Sequence, residues 1–189
     1  MKKIIIYGSQ YGTTERYAEE LVRRLNIPAI SFERIENLDS YESIIYIGAL
    51  YAGGVLGMAK TLKKSNPLNQ EFTIITVGLA DPNDEENIKN IQYGISKQLP
   101  LEILEKASIH HLRGGIDYSK LNFKHKTMMS LLYKKAKNLP EDKKTAEVRA
   151  MIDTYNQVVD FVDYSSLDSI VESLSPEKKL AQEQDGYSR

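Results

Sequence analysis

Ser9-Gln10-Tyr11-Gly12-Thr13-Thr14 stands between an apolar run, Ile4-Ile5-Ile6-Tyr7, and an amphipathic stretch that begins at Glu15. Small hydroxyls around a glycine at such a strand-to-helix junction are suited to holding a phosphate. The first N–H groups of a helix have no partners within it, and its dipole is positive at that end. Ser9, Thr13 and Thr14 add hydroxyl donors, and Gly12 lets backbone come close to an anion. A plainer reading makes Thr13 or Thr14 an ordinary N-cap. That accounts for one threonine but not for the whole run. The segment is not a Walker loop, because no Gly-Lys-Ser/Thr follows the glycine, and it lacks Gly-x-Gly-x-x-Gly.

The elements that must position this loop follow from hydrophobic periodicity. Continuous apolar runs predict strands buried on both faces at residues 4–7, 44–49 and 72–77, with further strands at 28–32 and 108–112. Tyr17, Ala18, Leu21, Val22 and Leu25 follow helical spacing, as do Val55, Leu56, Ala59 and Leu62. Ile88, Ile91, Ile95 and Leu99 predict another helix, introduced by the acidic Asp84-Glu85-Glu86. Val148, Met151, Ile152, Tyr155, Val158, Val159 and Val162 read as one long helical stripe, and Leu167, Ile170, Val171 and Leu174 as a short one. Alternating strands and helices predict an α/β fold with a doubly wound, five-stranded parallel sheet. Ligands of such sheets sit at the carboxyl ends of the strands. The loops after the first, third and fourth strands are therefore the candidate site.

Composition narrows the function classes. The chain of 189 residues has a net charge of −1, which argues against a nucleic-acid binder, and no cysteine, which fits a reducing, cytoplasmic setting. Lys2-Lys3 precedes too short an apolar run for a signal peptide, and residues 43–59 are too short and glycine-interrupted to span a membrane. One domain is expected over residues 1–175, with a polar tail at 176–189. His110-His111 is expected to turn one ring inward and one outward, with no metal cluster at ligand spacing. Asp81 and Asp84 can touch a ligand or serve as turn and helix-start residues. No catalytic triad or paired carboxylates can be argued from their order.

The first loop resembles the phosphate loop of flavodoxins, with Ser9, Gly12, Thr14 and Glu15 at the matching places and Tyr11 where a hydroxyl residue is usual. The resemblance implies a sheet order 2-1-3-4-5 and non-covalent FMN. Its phosphate would lie at Ser9, Gln10, Tyr11, Gly12, Thr13 and Thr14. One side of the ring would meet Leu50, Tyr51, Ala52, Gly53 and Gly54, where Tyr51 can stack or simply pack. The other side would meet Gly78, Leu79, Ala80 and Asp81, a loop without the second aromatic common in flavodoxins.

A long excursion follows the fifth strand, at about residues 116–144. From Arg113 to Arg149 there are ten Lys or Arg against four Asp or Glu, a local excess of six. His125, Met128, Met129, Leu132 and Ala136 share one helical face, with Lys126, Lys134 and Lys137 opposite and Lys124 and Lys135 flanking. Such a segment can meet an anionic membrane or an acidic partner, or simply cover the sheet edge with solvated lysines.

Arg113-Gly114-Gly115-Ile116-Asp117-Tyr118, Met128-Met129 and Leu131-Leu132 resemble the flavodoxin-type, menaquinone-dependent protoporphyrinogen oxidases, which carry a basic insertion here. The likeness runs over about residues 1–163. It implies an FMN-dependent oxidoreductase passing electrons from a porphyrinogen to a quinone, peripheral at the inner face of the membrane. The alternative is a soluble electron carrier serving a redox partner protein. A third reading keeps the fold without flavin.

Overall fold

Isoleucines in immediate succession cannot all face one side of a strand, so Ile4-Ile5-Ile6 requires packing on both faces of the sheet that contains it. The computed structural model, which describes residues 1–51 and 53–175, provides both. Along the chain come β1 (Lys3–Gly8), α1 (Thr13–Leu25), β2 (Ala29–Ser31), β3 (Ser43–Tyr51) and β4 (Gly54–Val55). Then follow α2 (Met58–Leu62), β5 (Glu71–Gly78), α3 (Glu85–Ser96), α4 (Leu101–Leu104) and β6 (Ala107–Arg113). The last part holds β7 (Gly115–Asp117), α5 (Phe123–Lys137), α6 (Ala146–Asp153), β8 (Val158–Asp160) and α7 (Asp168–Leu174).

The parallel sheet has the order β2-β1-β3-β5-β6, the expected 2-1-3-4-5 arrangement of its five parallel strands. Alternate residues divide between its faces. Ile4, Ile6, Ile44, Tyr46, Phe72 and Ile74 pack against α2, α3 and α4. Ile5, Ile45, Ile47, Ile75 and Val77 pack against α1 and α7. Tyr17, fully buried on α1, ties the second layer together: its hydroxyl donates to Arg113 O at 2.8 Å and accepts from Asp163 N at 3.0 Å. Because the strands run parallel, the loops after β1, β3 and β5 emerge at the same edge.

Three expectations are corrected. Val55 belongs not to a helix but to β4, which turns back antiparallel on β3, with Leu50 opposite Val55. The long stripe from Val148 to Val162 is two elements. α6 ends at Asp153, Asn156 takes a left-handed φ of 59°, and Val158–Asp160 pairs antiparallel with β7. A β-branched pair after a left-handed residue favours a strand, although its spacing also fits a helix. The β7–β8 ribbon thus brackets the excursion expected at 116–144, which continues through α6. Finally, both His110 and His111 are half-buried, because helical layers and loops cover the sheet on either side. The tail at 176–189 lies outside the described residues.

His111 Nδ1 lies 2.8 Å from Thr76 Oγ1, whereas the buried Nε2 of His110 has no partner among the described residues. Burial lowers both imidazoles below their ordinary value of 6.5, and the neighbouring His110 lowers His111 further. The fold therefore favours neutral rings, while the unfolded chain takes up protons at about pH 6.5. This contribution to stability is full above that pH and is lost as pH falls through the folded values. Urea midpoints measured between about pH 7.5 and 5.5 should fall less steeply in His110→Leu than in the unsubstituted protein; parallel profiles would contradict the assignment.

Candidate functional site

The first turn of α1 is built to receive an acceptor. Gly12 occupies the N-cap with φ 87°, a left-handed conformation that a side chain would strain, and no side chain caps the helix. Ser9 Oγ, the nearest hydroxyl, accepts from Gly12 N at 3.1 Å. The helix ladder begins only with Arg16 N, which donates to Gly12 O at 3.1 Å. The N–H groups of Thr13, Thr14 and Glu15 consequently meet no acceptor among the described residues. Of the hydroxyls expected to help, Thr13 Oγ1 already donates to Gly115 O at 3.0 Å. Thr14 is buried beside the cleft, and the hydroxyl proton of Ser9 is not committed.

The other two loops form the walls. β3 ends at Tyr51, whose hydroxyl donates to Met128 Sδ at 3.2 Å, and the β4 hairpin is strapped to the turn just after α3 by Val55 N donating to Gln98 Oε1 at 2.8 Å. After β5, Leu79 N and Ala80 N donate to the two carboxylate oxygens of Glu147, at 2.8 and 3.0 Å. Arg113 Nε donates to Leu79 O at 2.9 Å and stacks its guanidinium 3.8 Å from the Phe161 ring centre. Asp81 is drawn into a turn, its carboxylate accepting from Asn83 N at 2.9 Å, and Asp84 caps α3.

The excursion after β6 roofs the site. His125 of α5 meets Tyr11 edge-on at 5.8 Å, and its Nε2 lies 3.3 Å from Gln10 Nε2. Beneath it, Ile116, Tyr118, Leu121 and Met129 form a small core against Tyr11 and Tyr155. Tyr155 stacks on Tyr133 at 4.0 Å. The hydroxyls of Tyr11 and Tyr118 are buried without a partner among the described residues, and burial pushes both up to about 12. Each is therefore a neutral donor at physiological pH, and Tyr11 lines the cleft.

The walls and roof enclose a cleft of about 1010 Å³. Of the residues expected from sequence, Tyr11, Thr13, Thr14, Leu50, Tyr51, Gly53, Gly54, Gly78 and Leu79 line it. Ser9, Gln10, Gly12, Ala80 and Asp81 are not among the lining residues, and Ala52 lies outside the described residues. Sequence reasoning missed Glu147 and Gln98, and names Tyr118 only within the run at residues 113–118, with no role in the site. Glu147 in particular reads as a residue suited to a helix start, and nothing in its spacing announces the loop that it grips. No group of three metal-ligating side chains occurs among the described residues.

Comparison with known proteins places the chain. The profile described as "Flavodoxin domain" matches residues 4–143. Solved structures with a similar course include a putative flavoprotein from Bacteroides eggerthii, with 11% identity and a TM-score of 0.45, covering 69% of this chain and 96% of that one. A flavoprotein from Lactobacillus acidophilus in complex with FMN has 13% identity and a TM-score of 0.41, covering 59% and 91%. A Fusobacterium nucleatum flavodoxin variant bound to flavin mononucleotide has 16% identity and a TM-score of 0.43, covering 62% and 79%. No curated protein matches the sequence. The family match spans well over half of the chain, and the protein belongs to the flavodoxin domain family.

Proposed function

We propose that this protein binds FMN non-covalently, with the phosphate at the first turn of α1 and the ring between the loops after β3 and β5. The observation that carries this reading is the set of unmatched N–H groups at Thr13, Thr14 and Glu15, beside an apolar cleft. Their direction and the helix dipole suit a phosphate, and the uncommitted proton of Ser9 adds a donor. Tyr11 brings a neutral hydroxyl to the cleft in place of the usual short one. Tyr51, Gly53 and Gly54 would flank the ring on one side, and Gly78 with Leu79 on the other. Bound FMN supplies one- and two-electron redox chemistry, while the protein orients it and excludes water.

Within that reading we place the chain with the oxidoreductases of the protoporphyrinogen-oxidase type, passing electrons from a porphyrinogen to a quinone. The cleft is at the upper end of the size usual for one small ligand, about 300–1000 Å³. Beyond the loops it continues between α3 and the roof, among Ile91, Gly94, Met128, Leu132 and Met151, with Lys97 and Lys135 available to an acidic substrate. Room beside a flavin is what turnover of a second molecule requires. A specific contact favours the alternative, a soluble electron carrier. The bond from Tyr51 to Met128 draws the roof over the loops and narrows access for a substrate.

The outer face of α5 supports peripheral contact with the cytoplasmic side of a membrane. Phe123 is 86% exposed and Leu131 63%, among Lys124, Lys126, Lys134 and Lys137, with Lys135 at the border toward the cleft. Among the described residues no helix is long and apolar enough to cross a membrane. Exposed apolar side chains between lysines suit an anionic lipid surface.

Two experiments test these readings. FMN-loaded protein mixed anaerobically with protoporphyrinogen and a soluble menaquinone analogue should produce porphyrin fluorescence catalytically. Absence of turnover by the flavin-replete protein would leave the carrier. In liposome flotation, binding should require anionic lipid and weaken with salt, and Lys124→Glu with Lys134→Glu should reduce it several-fold. Equal flotation with neutral vesicles would return α5 to a solvated surface helix.

A further inference from the structure

Glu147 is the one acidic side chain among the described residues that line the cleft, and no basic group pairs with it there. Its carboxylate is half-buried and is held by the backbone alone, through Leu79 N at 2.8 Å and Ala80 N at 3.0 Å. A side chain placed on Gly78 would stand 2.9 Å from Glu147 Oε2 and 2.7 Å from Leu50 Cδ1. The carboxylate therefore sits in the slot between the loops after β3 and β5. An unpaired anion in apolar surroundings is costly, and two charge-assisted bonds to backbone N–H groups offset that cost. Leu79 lines the cleft and Ala80 follows it directly, so both donors, turned onto a carboxylate that itself lines the cleft, lie at the wall along which a flat ligand would slide.

The helix that carries Glu147 is only partly covered, its one core contact being Met151 packed against the small cluster under the roof. α6 has eight residues, none of them buried, whereas α5 buries Met129 and Ala136. Thr145 caps its start, and a side-chain tie to α3 runs from Arg149 to Glu86 at 3.9 Å, between exposed groups. An exposed pair of this kind contributes little. Elements with few buried contacts open most readily. The strong bonds of Glu147 and the partial cover of α6 describe a latch rather than a wall.

We propose that the Glu147 carboxylate and the acceptor edge of a planar heterocycle compete for the Leu79 and Ala80 amides, so that the ring enters the slot only as Glu147 withdraws with α6. The ligand class is a planar heterocycle that presents a carbonyl oxygen beside an unprotonated ring nitrogen along one edge, as the pyrimidine part of an oxidised flavin does. This rests on the reading of the cleft as a flavin site and adds a control over entry from the excursion itself. Glu147 acts on entry and affinity, not on electron transfer.

The test is an equilibrium and stopped-flow titration of FMN fluorescence with the unsubstituted protein, Glu147→Ala and Glu147→Gln. Amide exchange at Leu79 and Ala80 is followed with and without FMN. Removing the carboxylate should tighten FMN binding about tenfold and speed association. Glu147→Gln should be intermediate, since its carboxamide keeps one acceptor oxygen. Without FMN, the Leu79 and Ala80 amides should exchange about tenfold faster in Glu147→Ala, and FMN should restore their protection. Unchanged or weaker binding in a folded Glu147→Ala protein would overturn the competition and leave Glu147 as a clamp or a direct contact. If that variant does not fold, unchanged or weaker binding in Glu147→Gln overturns the competition in the same way. Failure of all three proteins to bind FMN would instead overturn the flavin reading, and this inference with it.

Discussion

A helix cannot satisfy its own first N–H groups, and among the described residues nothing else satisfies those of α1. Most helix starts are closed by a side-chain oxygen, and α3, α5 and α6 follow that rule through Asp84, Asn122 and Thr145. α1 departs from it, because Gly12 stands at the cap position and the neighbouring hydroxyl of Ser9 is turned onto Gly12 itself. The starts of α2, α4 and α7 also lack a side-chain cap, but among these open starts it is α1 whose first-turn residues, Thr13 and Thr14, line the apolar cleft, where β1 delivers the chain to the carboxyl edge of the sheet. A helix end is left open at modest energetic cost only where water or a ligand can complete it. Both the phosphate assignment and the arrangement of the other loops depend on that one opening.

Around it the protein has built more enclosure than a bare doubly wound domain supplies. The excursion after β6 reaches back over the first loop through His125, over the second through Met128, and over the third through Glu147. Each loop therefore meets the excursion through a different side chain and a different interaction: ring edge, sulfur and carboxylate. The buried hydroxyls of Tyr11 and Tyr118, which meet no partner among the described residues, lie under the same roof. Unmet polar groups under such a cover suit a site that a ligand completes.

The sequence is informative where one local pattern has one physical solution. Ile4-Ile5-Ile6 can be satisfied only between two layers, and the hydroxyl-rich turn that follows can only open toward the sheet edge. It misleads where two solutions share a pattern. Val158 and Val159 fit both a helical stripe and a strand, and the left-handed Asn156 that decides between them leaves no periodic mark. Val55 likewise fits a helical spacing, although the glycines before it permit the hairpin that places it in β4. Glu147 and Gln98 are invisible because their roles depend on loops far away in sequence, gripped through backbone groups that carry no residue identity. Asp81 shows the converse: a polar residue in the right loop, yet turned onto its own backbone.

The most direct measurement is a fluorescence titration of the flavin-stripped protein with FMN beside riboflavin, which differs by the phosphate alone. Hydrogen bonds to a charged group contribute about 1.5–3 kcal/mol each, so several of them at the start of α1 should make FMN bind at least about a hundredfold more tightly than riboflavin. Saturable quenching by FMN with that margin is the predicted result. Equal affinity for the two flavins would mean that the open turn of α1 holds no phosphate, and would contradict the account at its base.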